Sequence, residues 1–183
     1  MITMKLFVTR HGQSCWNVEE KTCGITDIPL SEVGLKQAET LAEELIRDKE
    51  MNQIKHIFVS NLGRARVTAS YAERALGLKA IVDERLHEQN FGIYEGKYYR
   101  DPEFQKLLTS PFCRYETGES LLDVAVRAYS FLSELKEKVN DENTLIVCHG
   151  CFNRVVASYF ASYTLESFRA IRWDNCELKC FEL

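Results

Sequence analysis

Two short apolar runs constrain this chain more than any other feature, because neither shows the alternation of a strand with one wet face. Lys5 to Thr9 (KLFVT) and Thr144 to Cys148 (TLIVC) read as buried strands. Each runs directly into polar chemistry, Arg10-His11-Gly12 after the first and His149-Gly150 after the second.

Between them the pattern changes repeatedly. Ile54 to Ser60 (IKHIFVS) predicts another strand and Ala80 to Val82 a brief one. Ser31 can cap a helix with Leu35, Ala38, Leu41, Ala42 and Leu45 at helical spacing. Ser60 or Asn61 opens a second helix through Ala65, Ala69, Ala72 and Leu76, closed by Gly77. Leu121 to Val139 is strongly periodic and predicts a core helix. Gly150 to Ala161 predicts one more, and Cys176 to Leu183 alternates like a final edge strand. Strands alternating with helices predict one α/β domain over residues 1–183, with a mainly parallel central sheet and helices on both faces. Residues 83–118, with Gly92, Gly96, Pro102 and Pro111, form the irregular part, read as a substrate cap with a short helix near Glu103 to Leu108.

Composition narrows the class. With 183 residues and 45% hydrophobic content the chain can build a sizeable core. A net charge of −4 argues against nucleic-acid or membrane-surface partners. No apolar run approaches the roughly 18 residues of a membrane span, and Met1 to Arg10 lacks the marks of a signal peptide. Seven irregularly spaced cysteines read as free thiols in a reducing cytoplasm.

In α/β sheets, ligands bind beyond the C-terminal strand ends, and that is where the unusual residues gather. Arg10 and Arg64 offer forked donors suited to a phosphate. His11 can attack phosphorus through a neutral ring nitrogen, and nearby arginines would disfavour its charged form. His149, before a helix start, can donate to phosphoryl oxygens, while Gly12 and Gly150 would let backbone approach the ligand. Glu88, beside Phe91 and Tyr94, supplies an acid whose partial burial would keep a proton for the leaving group; Glu84 and Glu95 are its neighbours among the carboxylates.

Arg10 to Asn17 (RHGQSCWN) resembles the opening signature of the histidine phosphatase superfamily, which includes the cofactor-dependent phosphoglycerate mutases. Gly24 to Ala38 (GITDIPLSEVGLKQA), Ser60 to Ala69 (SNLGRARVTA), Leu86 to Gly96 (LHEQNFGIYEG), Gly118-Glu119-Ser120 with Arg127, and His149-Gly150 agree with it in order. The resemblance implies His11 as the phosphorylated histidine, Arg10 and Arg64 as phosphate-binding arginines, His149 as the second pocket histidine and Glu88 as proton donor. It implies Asn17 and Gly24 as further residues lining phosphate or substrate, and neither metal nor cofactor.

The chain departs from the mutase pattern in its short Lys97 to Thr117 insert, with Lys97, Arg100, Lys106 and Arg114 as basic candidates. Cys23 stands where threonine or serine is common and Phe91 where mutases carry tyrosine. The short insert favours a phosphatase of small phosphate monoesters, active on the acid side of neutral. A phosphoglycerate mutase, an α-ribazole phosphatase and a catalytically silent regulatory module are the alternatives, and a homodimer is compatible with all of them.

Overall fold

β1 (Lys5–Arg10) and β4 (Thr144–Cys148) lie side by side and parallel, Leu6 opposite Thr144 and Arg10 opposite Cys148. The computed structural model describes residues 4–183; Met1 to Thr3, part of the segment read as lacking a signal peptide, lie outside the described residues. β2 (His56–Val59) pairs with the other edge of β4, and β3 (Ala80–Val82) with β2, both parallel. β5 (Leu178–Glu182) runs antiparallel along β1, so the sheet order is β3-β2-β4-β1-β5. The predicted edge strand is therefore an edge, and it alone breaks the parallel set.

Side chains alternate across this sheet, and both faces are dry. Leu6, Val8, Phe58, Ile146 and Cys148 point to one core, Phe7, Ile57, Val59, Leu145 and Val147 to the other. That two-sided burial explains why the runs lack polar alternation. The first core is closed by α6 (Leu121–Lys138) and α7 (Gly150–Phe160), the second by α2 (Glu32–Arg47) and α4 (Gly63–Leu76). Phe58 meets Phe131 edge-on at 5.6 Å; replacing either with alanine removes about 3–5 kcal/mol.

Helix ends follow local chemistry. Ser31 caps α2 by accepting from Gly34 N, and Ser120 and Asp123 form a reciprocal capping box on α6. Gly77, at φ 71°, ends α4 in the left-handed conformation. The N-cap of α4 is Leu62, not Ser60 or Asn61. Ser60 instead turns its hydroxyl to Leu62 N and to His149, and Asp27 accepts from Gly63 N across the loop. Leu35 is exposed, and Gly34, Ala38, Leu41 and Leu45 form the buried face of α2.

Residues 83–118 contain two 3-10 turns and α5, the fifth helix of the chain (Pro102–Leu107), capped by Asp101. Phe91, Tyr94, Phe104 and Tyr115 make a small core of their own there. Four short helices complete the set, α1 (Cys15–Val18), α3 (Lys49–Asn52), α5 and α8 (Leu165–Ala170); of these only α5 is foreshadowed by the sequence pattern. No helix among the described residues is long and apolar enough to cross a membrane.

Candidate active site

The register of the sheet places the two histidines together. His11 follows β1, and its N–H donates to Cys148 O at 3.0 Å, so it leaves the sheet beside His149. Their ring centroids are 5.1 Å apart. On the far side of β4, Ser60 N donates to Val147 O, and the chain turns into α4, whose first turn carries Arg64. Three strand ends thus contribute Arg10, His11, Arg64 and His149 to one spot.

The hydrogen bonds select a tautomer for His11. Nδ1 lies 2.6 Å from Gly12 O, a carbonyl that can only accept, so the ring proton sits on Nδ1. Nε2 is left with its lone pair, which accepts from Arg64 Nε at 3.3 Å. Burial, then Arg64 and Arg10, hold the ring's pKa well below the usual imidazole value. The arginine is held in turn: Nη1 donates to Thr26 O at 2.9 Å and Nη2 to Gly24 O at 2.6 Å.

His149 is fully buried, with Nε2 2.8 Å from Ser60 Oγ. That hydroxyl also accepts from Leu62 N, and among the described residues its own proton has no acceptor other than Nε2. With the Ser60 proton given to Nε2, the His149 proton sits on Nδ1, a buried nitrogen with no partner among the described residues. Burial first, then Arg64 and His11, lower this ring's pKa as well. Arg10 Nη1 donates to Trp173 O at 3.0 Å, while its Nε is buried and unpartnered. Unspent buried donors beside a second guanidinium suit an anion rich in acceptor oxygens.

Glu88 faces this group from the irregular segment. Its Oε1 accepts from Gln89 N and Phe152 N, its Oε2 from Cys151 N, at 2.9–3.1 Å. The carboxylate therefore serves the first turn of α7, where the N-cap His149 makes no side-chain cap. Arg127 fixes the segment by donating to the carbonyls of Arg85, His87 and Glu88 and, through Nε and Nη2, to the carboxylate of Glu119. Of Glu84, Glu88 and Glu95, Glu88 alone lines the cleft.

That cleft has a volume of about 420 Å³ and is walled by Arg10, Asn17, Glu88, Gly150, Arg154 and Trp173 among others. His11, Arg64 and His149 are buried and are not part of this lining. Asn17 Oδ1 accepts from Ser14 N in the capping box of α1, and the residue borders the cleft.

Gly12 and Gly24, like His11, Arg64 and His149, are not among the residues that line the cleft. A Cβ on Gly12 would sit 2.3 Å from Gly34 O, and one on Gly24 2.1 Å from Glu95 Oε1. Their bareness serves close packing around the site. Gly150 lines the cleft with nothing closer than 3.5 Å to an added Cβ.

Of the basic residues in the insert, only Arg100 reaches the cleft, paired with Glu20 at 2.8 Å. Arg114 pairs with Asp123, and Lys97 lies over the Tyr94 ring. Arg154 and Arg172, passed over in the sequence, line the cleft with no carboxylate partner among the described residues. Arg154 stands four residues after Gly150 on α7, a spacing that could have revealed it. Arg172 to Asn175 carry no periodic signal. Asn175 Nδ2 donates to His11 O, and Cys176 N to Arg10 O, which latches this loop onto β1.

Cys148 and Cys151 bracket His149 in a C-x-x-C spacing that was also missed. Their thiols face different partners, Asn153 Oδ1 and Gln89 Oε1, and burial pushes both pKa values up, Cys151 to about 12. Neither is a thiolate near neutral pH. A larger groove of about 690 Å³ between α6, α7 and α8 holds no basic, acidic or cysteine side chain.

A family model described as the histidine phosphatase superfamily, branch 1, matches residues 6–183. A probable phosphoglycerate mutase, GpmB, of Yersinia pestis is 29% identical over 183 residues, covering 96% of this chain and 83% of the relative. Among solved structures, a mycobacterial glucosyl-3-phosphoglycerate phosphatase superposes with a TM-score of 0.84 at 26% identity, over 97% of this chain and 89% of that one. The Bacillus stearothermophilus protein YhfR superposes with a TM-score of 0.83 at 28% identity, over 97% and 90%.

Proposed function

The chain belongs to the histidine phosphatase superfamily, and from that premise we propose that it hydrolyses small phosphate monoesters through a phosphohistidine on His11. The observation that carries this reading is the His11 tautomer: Nδ1 donates to Gly12 O, and the Nε2 lone pair is turned to the cationic Arg64. An unprotonated nitrogen beside a guanidinium is a nucleophile with its electrophile's charge already matched.

In the first step His11 Nε2 attacks phosphorus, the P–O ester bond breaks, and Glu88, entering as the acid with its proton on Oε2, which among the described residues accepts only from Cys151 N, gives that proton to the leaving oxygen. Arg64 Nε then turns from the ring to a phosphoryl oxygen, joined by Arg10 and by His149 Nδ1–H. In the second step water attacks phosphorus, Glu88 takes the water's proton, and the P–N bond breaks. Inorganic phosphate leaves and the neutral imidazole returns. No metal enters this scheme.

Phosphate release from p-nitrophenyl phosphate in EDTA, wild type against His11→Ala, tests it. Turnover near pH 6 that vanishes in the variant is the expected result; equal turnover by both sinks the mechanism. The name of the GpmB relative favours a second reading, phosphoryl transfer between hydroxyls of a phosphoglycerate. Dependence on a bisphosphoglycerate primer would select it.

A further inference from the structure

We infer that Glu95 is a positioning residue for phosphate recognition, acting on Arg64 through the backbone carbonyls of Gly24 and Thr26. This rests on the reading of Arg64 as a phosphate ligand. Glu95 is half-buried and forms no ion pair among the described residues, yet both of its oxygens are fully used. Oε1 accepts from Ile25 N at 2.9 Å and Phe91 N at 3.2 Å; Oε2 accepts from Thr26 N at 2.8 Å and from the Thr26 hydroxyl.

The same short loop presents its carbonyls the other way. Gly24 O and Thr26 O take the two Nη groups of Arg64, leaving Nε aimed at His11. N–H groups to Glu95 on one side and C=O groups to Arg64 on the other make residues 24–26 a plate between carboxylate and guanidinium. Gly24 lacks a side chain because Glu95 Oε1 occupies that space. Phe91 belongs to the segment that carries Glu88, so Glu95 also ties the two walls of the site together. Asp27 anchors the far end of the loop on Gly63 N.

Glu95→Gln is the incisive variant. Each oxygen takes at least one backbone N–H, so either orientation of the amide sets its NH2 against a backbone donor that cannot accept. The measurement is a double-mutant cycle with Arg64→Ala, read by kcat/KM for p-nitrophenyl phosphate and by calorimetric affinity for inorganic phosphate. Glu95→Gln alone should cost about 10- to 100-fold in both. In the Arg64→Ala background the loss in kcat/KM should shrink to less than about threefold, because the loop then has nothing to aim. Thr26→Val, which keeps both carbonyls and removes one donor to Glu95, should give a smaller loss with the same dependence on Arg64.

Equal losses in both backgrounds would overturn the inference and make Glu95 a purely structural residue. Phosphate affinity that falls in Arg64→Ala but is untouched in Glu95→Gln would overturn it while leaving Arg64 in place. Phosphate affinity unchanged by Arg64→Ala would overturn the reading of Arg64 and this inference with it.

Discussion

Arg64 Nε donates across 3.3 Å to His11 Nε2, the same lone pair that a phosphoryl group would take. In the proposed mechanism the guanidinium guards the nucleophile until an anion arrives to accept its hydrogen bond instead. Lysine keeps the charge but cannot hold Gly24 O, Thr26 O and His11 at once. Arg64→Lys should lower kcat by about 100-fold, as steady-state kinetics on an aryl phosphate would reveal. Near-native turnover would mean that charge alone suffices.

The two buried histidines link stability to pH. Both rings have folded pKa values well below the unfolded value of about 6.5. Between those limits the unfolded chain binds more protons than the folded one, so stability falls as pH drops below about 6.5 and is complete above it. Each histidine contributes a slope of up to about 1.4 kcal/mol per pH unit. Urea titrations at several pH values between about 7 and 5 should show that slope, and His149→Gln should remove its share. A flat profile would mean that both rings take up a proton as readily in the folded state as in the unfolded one.

The same depression bears on catalysis. His11 stays neutral as pH falls through 6.5, so kcat/KM should not decline there as it would for an ordinary imidazole nucleophile. A pH–rate profile with its acid limb near 6.5 would contradict the neutral-ring geometry.

Glycine substitutions should separate packing from catalysis. Gly12→Ala forces backbone apart at Gly34 and should destabilise by about 1–3 kcal/mol. Gly150→Ala has room for its methyl at the start of α7 and should leave the melting temperature unchanged or higher. Thermal melts of the two variants decide this directly.

Arg154 and Arg172 stand in the cleft without acidic partners among the described residues, which suits a substrate bearing a second anionic group. Arg154→Ala should reduce the ratio of kcat/KM for 3-phosphoglycerate over p-nitrophenyl phosphate by about tenfold, the worth of one charge-assisted hydrogen bond. An unchanged ratio would assign Arg154 to the α7 surface.

The strand ends were legible because two-sided burial writes an unbroken apolar run, and such a run stops where its strand does. Arg10, His11 and His149 follow from that rule together with the family signature. Arg64 needed the signature, since nothing in its helix pattern distinguishes it from Arg66. The short helices α1, α3 and α8 escaped because four to six residues cannot display a 3.6-residue period. The packing roles of Gly12 and Gly24 were hidden because the atoms that exclude a Cβ lie in Gly34 and Glu95, distant in sequence. Arg172 and Trp173 were hidden for a similar reason: only the tertiary latch of Asn175 on His11 O brings their loop to the cleft.

β1 is the first of the five strands in chain order, and it has no partner until β4 follows. Its neighbours β4 and β5 begin at Thr144 and Leu178, so a nascent chain growing at about 5–20 residues per second leaves β1 without a partner for on the order of ten seconds. Throughout that wait Leu6, Phe7 and Val8 have no sheet to enter. His11 and His149 are joined by the same late event, so their pairing does not ripen gradually: the growing polypeptide lacks it altogether until the β4 segment has cleared the ribosome.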